Sequence, residues 1–575
     1  MVGVGSPASD QIDSLIRYPA TSTESLTIIK QWLDTCGSSH PECRNQVDSR
    51  SRPAPSTLPK RVIDVGLDDP SHHPRLVISN GRRAEYIALS HCWGAVHPLK
   101  TTKTNMNVLM EGIPLDQLPA TFSDTVRLAR LLRVRYVWID SLCIIQDSAA
   151  DWEQEAATMG TIYNSAYVTI AATRSPNPQS GFLSDKVSEY FPKGGLGGTF
   201  ELPCRQGNRT AGTFFVTAEP KADPSKHIED AALNHRGWVL QERLLSRRVL
   251  HFAEDQVYWE CRHHAIAQDR TVFKPQGNSN FLFPLPGLIR RLYLLRDTTM
   301  PWAAADKEFQ QIWLTILEFY CSCQLTFDKD RLVALLGFAD QLRPLTTRTY
   351  VDGHWFRLLP SQPDGGDKLL PDHGDVPQSL LWISTSPSNR LPTTFRAPSW
   401  SWASIEGEIS FHNRQHDIHP KLVSVERFLA APGIPTIVGP RLNIKGEFVS
   451  ASVVLADGGP HEKKRVFEVV ERGKGKQSAR GVGAVMGNVT FDLPGTVCPD
   501  VECLYLFTDS TRYSVFLALS MVMRDEELGR KPGGKDAEGQ EDGEVECAVY
   551  RRVGIGSMLQ GRRAMFKDTR EVVLV

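Results

Sequence analysis

Three short apolar runs alternate with two amphipathic segments between residues 84 and 173, and this alternation constrains the fold more than any other feature. The runs lie at 86–90 (YIALS), 136–140 (YVWID) and 167–172 (YVTIAA). Short β-type runs separated by helical segments are typical of β-α-β units, whose right-handed crossovers place the strands side by side in parallel. The sequence therefore predicts an α/β domain with an open parallel sheet.

Both helical segments carry start signals. The first, LPATFSDTVRLARLL (118–132), has Pro119 and a Thr121-x-x-Asp124 capping pattern, which together predict a helix from about residue 120. The second is predicted to begin with Asp151 as its N-cap. Its apolar stripe consists of Trp152, Ala156, Met159 and Tyr163.

Glu155 and the ends of the first two strands define a candidate site. At about 100° per residue, Glu155 lies about 60° from the centre of the apolar stripe, so we expect it to border the buried face and point into a cleft. Ser90, His91 and Trp93 follow the first run, and Asp140 ends the second. Ligands of open α/β sheets bind beyond the carboxyl ends of the strands. We therefore predict a site at these strand ends, facing Glu155.

The chain is too long for a single hydrophobic core. It has 575 residues, whereas cores stop growing at roughly 250–300 residues. Changes of pattern divide it into an N-terminal lead-in with a helix and a linker (1–80), the α/β domain (84–245), a mostly helical middle region (246–394) and a β-rich C-terminal region (395–575). Two polar, Gly-rich stretches, 471–484 and 524–545, are predicted to be mobile loops.

The charge balance argues against nucleic acid as a partner. The 65 Lys and Arg residues and 66 Asp and Glu residues leave a formal net charge of -1, which provides no attractive field for phosphates. The N-terminus lacks a basic segment followed by an apolar stretch, and no apolar run approaches the roughly 18 residues that span a bilayer. We therefore expect a cytoplasmic or nuclear protein with no membrane span and with reduced cysteines.

Residue types found in zinc sites occur near the N-terminus. Cys36, His40 and Cys43 supply three ligands, and a fourth would have to come from Cys261 or the two histidines that follow it, if folding brings them together. Scattered cysteines are more often buried small hydrophobes than metal ligands. The sequence alone therefore predicts no metal site.

Three blocks of the sequence resemble the motifs of a fungal protein family. They are YIALSHCWG (86–94), the segment 118–173 and RGWVLQERLLSRRVLHF (236–252), which resemble the three motifs of the heterokaryon-incompatibility (HET) family in order and spacing. Other segments that look like parts of full-length HET proteins lie at 36–43, 325–339, 396–409 and 550–559. The resemblance therefore touches most of the chain.

The resemblance implies a function and a fold. HET proteins take part in non-self recognition and programmed cell death in filamentous fungi, and their domain is thought to be related to the Toll/interleukin-receptor (TIR) fold. This implies a TIR/flavodoxin-like open parallel sheet. Some TIR domains cleave NAD with a glutamate that stands on a helix shortly after a tryptophan. Trp152-x-x-Glu155 is similar to that pattern, although the usual spacing is one residue longer.

The candidate residues suit hydrolysis of an N-glycosidic bond. Such a reaction needs a carboxylate that holds the ribose hydroxyls and stabilises an oxocarbenium-like transition state. We predict Glu155 as this catalytic group and Asp140 as a second carboxylate. NAD enters as a substrate, and no cofactor is predicted. The predicted substrate-binding residues are Ser90, His91, Trp93, Arg236 and Trp238, because arginine suits phosphate and tryptophan stacks on rings.

Each of these residues also has a structural interpretation. Glu155 would pair with a nearby basic group, and Asp140 would cap the following turn. Arg236 would pair with Glu242, while Trp238 would close the core. The alternatives at the level of function are a non-enzymatic module that self-associates or docks another incompatibility protein, and a HET-like protein recruited to a specialised role such as secondary metabolism.

Overall fold

The computed structural model of the chain contains two compact units. The first comprises Met1–Thr299 and Val333–Gln341, and the second comprises Met300–Leu332 and Leu342–Val575. The residues described are 18–44, 55–69, 72–94, 99–183, 199–206, 209–217, 225–270, 272–273, 288, 291–292, 301–357, 368–369, 377–411, 421–426, 441–455, 467–471, 485–493, 500–508, 514–523, 548–558 and 568–574.

A nine-stranded sheet organises the described part of the first unit. Its strands are β1 (Arg61–Asp64), β2 (Arg75–Ile78), β3 (Tyr86–Ser90), β4 (Tyr136–Trp138), β5 (Val168–Ala171), β8 (Arg248–Phe252), β9 (Val257–Cys261), β10 (Ala265–Ala267) and β11 (Val272–Phe273). They lie in the order β11-β10-β9-β8-β5-β3-β4-β1-β2. Two further strands, β6 (Thr199–Gln206) and β7 (Arg209–Thr217), pair with each other outside this sheet.

The centre of this sheet is parallel and its flanks are antiparallel. Strand β3 pairs in parallel with β4 and with β5, and β5 pairs in parallel with β8. Strand β1 runs antiparallel to β4, and β9 runs antiparallel to β8. The predicted parallel sheet is therefore present at the centre, whereas the sheet as a whole is mixed parallel and antiparallel and the fold is mixed α/β. The short connection from β8 to β9 explains one flank, because a parallel neighbour requires a crossover of about a dozen residues.

The helices of the first unit lie before and between the strands of its sheet. They are α1 (Thr23–Ser39), α2 (Met106–Glu111), α3 (Ala120–Leu131), α4 (Asp140–Cys143), α5 (Ala149–Ser165) and α6 (Gly237–Leu245). Helix α3 links β3 to β4, and α5 links β4 to β5. Because β4 and β5 lie on opposite sides of β3, right-handed crossovers place α3 and α5 on opposite faces of the sheet.

Helix α3 begins where the sequence predicts, but without the predicted capping box. Pro119 occupies the N-cap position, and no side chain caps the helix. Asp124 instead accepts hydrogen bonds from the backbone amides of Phe182 (2.7 Å) and Leu183 (2.9 Å). The Thr121-x-x-Asp124 pattern therefore anchors a later segment, because a distant backbone competes successfully for the carboxylate.

The segment 236–252 begins as a helix and continues as a strand, as its sequence predicts. Helix α6 is followed by β8, and β9 then folds back as the antiparallel partner of β8. The predicted domain boundary at residue 245 therefore falls between two elements of the same unit.

The second unit contains one helix at its start, the two ends of a second helix, and many strands. The helices are α7 (Trp302–Ser322) and α8 (Asp330–Leu342), of which α8 contributes residues to both units. The strands are β12 (Thr349–Val351), β13 (His354–Phe356), β14 (Lys368–Leu369), β15 (Trp382–Ser384), β16 (Ile409–Phe411), β17 (Lys421–Glu426), β18 (Arg441–Leu455), β19 (Phe467–Glu471), β20 (Val485–Phe491), β21 (Asp500–Thr508), β22 (Ser514–Met523), β23 (Ala548–Met558) and β24 (Asp568–Leu574).

The larger sheet of the second unit joins strands that are far apart in sequence. Its order is β14-β17-β18-β19-β20-β23-β22-β21, and β24 pairs with both β18 and β23. Strand β18 also pairs with β21, so the sheet closes on itself. The loops predicted at 471–484 and 524–545 lie outside the described residues, apart from Glu471. In the described ranges, no helix is both long and apolar enough to cross a bilayer.

Two tryptophans of the second unit fill its core. Trp400 and Trp402 are both fully buried, as expected for packing residues. Their alternate spacing predicts a strand, but Trp402 begins a 3-10 helix (Trp402–Ser404). The indole of Trp402 donates to the carbonyl of Gly353 at 3.0 Å. This long-range hydrogen bond and the packing around it determine the local structure more than the alternation does.

A buried ion-pair network joins α6 to strands β8 and β9. Arg243 donates two hydrogen bonds to Glu260, each 2.7 Å long, and it also pairs with Glu229. His251 lies 2.8 Å from the same Glu260 carboxylate. Burial alone would raise the pKa of Glu260, but Arg243 and His251 lower it to about 2. The carboxylate is therefore charged at every ordinary pH.

Replacing Glu260 by glutamine should destabilise the first unit by about 3 kcal/mol at neutral pH, because Arg243 would lose most of its buried counter-charge. The free energy of unfolding in urea measures this loss. Because the pKa of Glu260 is lowered by folding, its contribution is present above about pH 4.5 and is lost as the pH falls toward about 2. Wild type and variant should therefore converge in acid.

The matched control for this substitution is Glu254→Gln. Glu254 pairs with Arg174 at the surface, and its side chain is 61% exposed. An exposed pair of this kind contributes less than about 1 kcal/mol. A Glu260→Gln variant as stable as the Glu254→Gln variant would contradict the role given to the network.

Candidate functional site

Polar side chains from the carboxyl ends of β3 and β4 meet at the middle of the first sheet. The indole Nε1 of Trp93 donates to Asp140 Oδ2 at 2.7 Å. Nδ1 of His91 lies 3.7 Å from Asp140 Oδ1. The structure therefore brings together three of the predicted site residues, two after β3 and one after β4.

Asp140 combines a structural role with partial exposure. It is the first residue of α4, and its Oδ1 accepts a hydrogen bond from the Ser141 amide at 2.7 Å. The predicted turn-capping role is therefore present. Its side chain is also 20% exposed, so the carboxylate can still meet solvent or a ligand.

His91 is a buried imidazole. Its ring lies edge-on to Phe122, with 5.1 Å between ring centroids. Neither ring nitrogen has a hydrogen-bond partner in the part of the chain that the structure describes. Burial lowers the pKa of His91 to about 4, although Asp140 opposes this effect. The ring is therefore neutral at physiological pH.

Arg236 and Trp238 lie at the start of α6. Arg236 donates a hydrogen bond from Nη1 to the carbonyl oxygen of His91, which ties α6 to the end of β3. Trp238 packs edge-on against Trp152 with 6.4 Å between ring centroids. Both side chains therefore have structural contacts, and both are only partly buried.

Glu242 is a member of this cluster that the sequence analysis missed as a functional candidate. It lies on α6 and is buried beside Ser90, Asp140 and Tyr163. Burial raises the pKa of Glu242 to about 7, even though Ser90, Arg236 and Tyr163 lower it. Among described residues, its Oε2 atom has no hydrogen-bond partner of ordinary geometry. The sequence feature that could have identified Glu242 is its position one helical turn after Trp238, which places both side chains on the same face of α6.

Glu155 occupies a different environment. It is buried, and its carboxylate forms an ion pair with Arg61, whose Nη2 lies 3.6 Å from Glu155 Oε1. Burial raises the pKa of Glu155, and Arg61 opposes this. The structure therefore gives Glu155 the predicted basic partner, and no side-chain hydrogen bond or ion pair among the described residues joins it to Asp140 or Ser90.

Asp151 belongs to the same group as Glu155. It contacts Arg61 and lies 2.9 Å from Lys60 Nζ. Its Oδ2 also accepts from the Ile145 amide at 2.9 Å. The N-cap position of α5 is occupied by Ser148, so the prediction of Asp151 as the N-cap is wrong. Its carboxylate instead neutralises the buried guanidinium of Arg61.

The strand-end cluster, defined as Ser90, His91, Trp93, Asp140 and Glu242, is suited to acid–base chemistry. It holds one carboxyl group that titrates near neutrality and one partly exposed carboxylate. The cluster is not among the groups of described residues whose donor atoms lie close enough together to hold a metal ion.

Comparison with known proteins places this cluster within a family domain. The family model described as Heterokaryon incompatibility protein (HET) matches residues 86–242, which run from the start of β3 to Glu242. No curated protein and no solved structure matches the chain. The match contains all seven predicted catalytic and substrate-binding residues, together with Glu242. Residues 86–242 of this chain therefore form a heterokaryon-incompatibility (HET) domain.

Proposed function

We propose that the HET domain hydrolyses the N-glycosidic bond of NAD or a related nucleotide, and that this activity serves non-self recognition and programmed cell death in a fungus. The observation that carries the proposal is the buried Glu242 carboxyl, whose pKa is raised to about 7 beside the strand ends. Perturbed carboxylates grouped at a cleft are common in active sites.

The strand order supports a TIR/flavodoxin-like class for the domain. Numbered along the chain, the parallel strands lie in the order 2-1-3-4, which is the beginning of the flavodoxin-like order. In such sheets the ligand binds where the winding direction reverses, beyond the carboxyl ends of the strands. That point lies between β3 and β5, next to the strand-end cluster.

Glu242 and Asp140 have complementary parts in the proposed reaction. The bond between the ribose C1′ and the nicotinamide nitrogen breaks, and nicotinamide leaves with the bonding electron pair. The ionised Glu242 stabilises the positive charge that develops on the ribose. Water adds to C1′, and its proton passes to the partly exposed carboxylate of Asp140. Glu242 thereby takes the role that the resemblance assigns to Glu155.

The remaining predicted residues fit substrate binding at different depths. Trp93, Arg236 and Trp238 are partly exposed and available to a ring or a phosphate. Ser90 and His91 are buried behind them. In the proposal, the first three contact the nucleotide directly and the two buried residues shape the floor of the site.

Glutamine substitutions distinguish the two glutamates. Glu242→Gln should lower the rate of nicotinamide release from NAD by about 100-fold or more, which is the usual effect of removing a group that stabilises charge in the transition state. Glu155→Gln should lower stability, because it removes one of the two carboxylates that pair with Arg61, but it should leave the turnover of folded protein within about threefold of wild type. Glu153→Gln, on the exposed side of α5, is the matched control.

The activities of the two glutamine variants show whether Glu242 or Glu155 is the catalytic glutamate. Full activity in Glu242→Gln would contradict its catalytic role. Loss of activity in a stably folded Glu155→Gln variant would restore the assignment made from the tryptophan-to-glutamate pattern. No turnover by the concentrated wild-type protein under crowded conditions would contradict the enzymatic proposal and favour a docking function.

The pH dependence of turnover should report Glu242. Because the ionised carboxyl is the active form, kcat should fall as the pH drops through about 7, where Glu242 becomes protonated. His91, with a pKa of about 4, contributes nothing in this range. Steady-state rates between about pH 5 and 8 measure this fall in kcat. The same pH dependence in the residual activity of Glu242→Gln would contradict the assignment of this titration to Glu242.

A further inference from the structure

Four side chains with metal-ligand chemistry meet beside the end of β9. Cys36 lies in the last turn of α1, His40 is the C-cap of that helix, and Cys43 ends a short 3-10 helix. Cys261 is the last residue of β9. One donor atom from each lies within 4.8 Å of the others, and all four residues are buried. The fold therefore supplies the fourth ligand that the sequence left open.

We propose that Cys36, His40, Cys43 and Cys261 bind one zinc ion as a structural site. The Sγ atom of Cys261 lies 3.6 Å from Nδ1 of His40. In a tetrahedral zinc site with ordinary bond lengths, a sulfur and a nitrogen ligand are also about 3.6 Å apart. Three sulfurs and one imidazole are a ligand set that selects zinc among the common cellular metals.

The charges around the cluster fit a metal–thiolate centre. Zinc with three thiolates and a neutral imidazole carries one net negative charge. Arg248 is buried, and its Nε donates to Cys36 Sγ at 3.2 Å. Its other hydrogen bonds among the described residues go to the backbone carbonyls of Tyr167 and Cys43, and none goes to a carboxylate. The negative centre would therefore supply the counter-charge that this buried cation needs.

A neighbouring histidine orients the imidazole ligand. The ring of His263 stacks on His40 with 4.1 Å between centroids. Nδ1 of His263 in turn lies 2.7 Å from a carboxylate oxygen of Glu42. Such contacts around a metal site fix the orientation of its ligands. His40, His263 and His264 also form a second possible ligand group, but it lacks sulfur and is more exposed than the first.

The site would fasten α1 to strand β9 of the first sheet. Three ligands come from the end of α1 and the turn after it, and the fourth comes from the sheet. With four buried protein ligands the metal has no open position for a substrate, so its role is structural. Its binding energy would contribute directly to the folding of this part of the chain.

Metal analysis of the full chain, purified without a histidine tag from zinc-supplemented cells, tests the proposal. About one zinc per chain is expected in the wild type and in Cys321→Ser, which changes a buried cysteine of the second unit. Cys36→Ser and Cys261→Ser should each reduce bound zinc at least tenfold. Wild-type protein without stoichiometric metal, or with two of these thiols joined as a disulfide, would overturn the proposal.

Cobalt substitution keeps the test valid if the serine variants fail to fold. Wild-type protein reconstituted with Co²⁺ should show strong thiolate-to-cobalt charge transfer and an intense tetrahedral visible band. His40→Cys should retain both the metal and the tetrahedral band, since it supplies a fourth thiolate, whereas His40→Ala should weaken them. A weak octahedral spectrum in the wild type would contradict thiolate coordination.

Discussion

The position of β3 between β4 and β5 is the constraint on which the rest of the first unit depends. The chain leaves β3 for β4 on one side and then returns to β5 on the other. From β5 the chain continues outward to β8, so the right-handed crossovers that leave β3 and β5 diverge at the carboxyl ends of these two strands. This divergence leaves space at the strand ends for Ser90, His91 and Asp140, and α6 then brings Glu242 beside them. All five residues of β3 are buried, so the reversal is held within the core.

Helix α6 shows how neighbouring residues acquire opposite electrostatic roles. Arg243 faces Glu260 and Glu229, and this pairing lowers the pKa of Glu260 to about 2. The adjacent Glu242 faces the strand ends, where burial raises its pKa to about 7. One side of the helix therefore carries a fully paired structural charge, whereas the other carries a carboxyl group that changes protonation near neutrality.

Local pattern predicted much of the first unit but not its long-range partners. Apolar periodicity located β3, β4, β5 and α3, and it also located the transition from α6 to β8. Strand-end reasoning placed Asp140 near His91 and Trp93. A basic partner for Glu155 was predicted, but its identity as Arg61 was not, because these residues are distant in sequence and meet only through folding. The proximity of Cys261 to Cys36 was not predicted for the same reason. In the second unit, the alternating pattern predicted a strand at Trp402, but the long-range contacts of this residue place it in a 3-10 helix.

We propose that a nucleotide binds at the strand-end cluster, over Glu242. Hydrogen–deuterium exchange with and without a hydrolysis-resistant NAD analogue tests it most directly. Binding there should slow exchange in the segment after β3, in α4 and in the first turns of α6, with little change in β1 or the first turns of α5. Protection confined to β1 and α5, around Arg61 and Glu155, or no protection at saturating analogue, would contradict it.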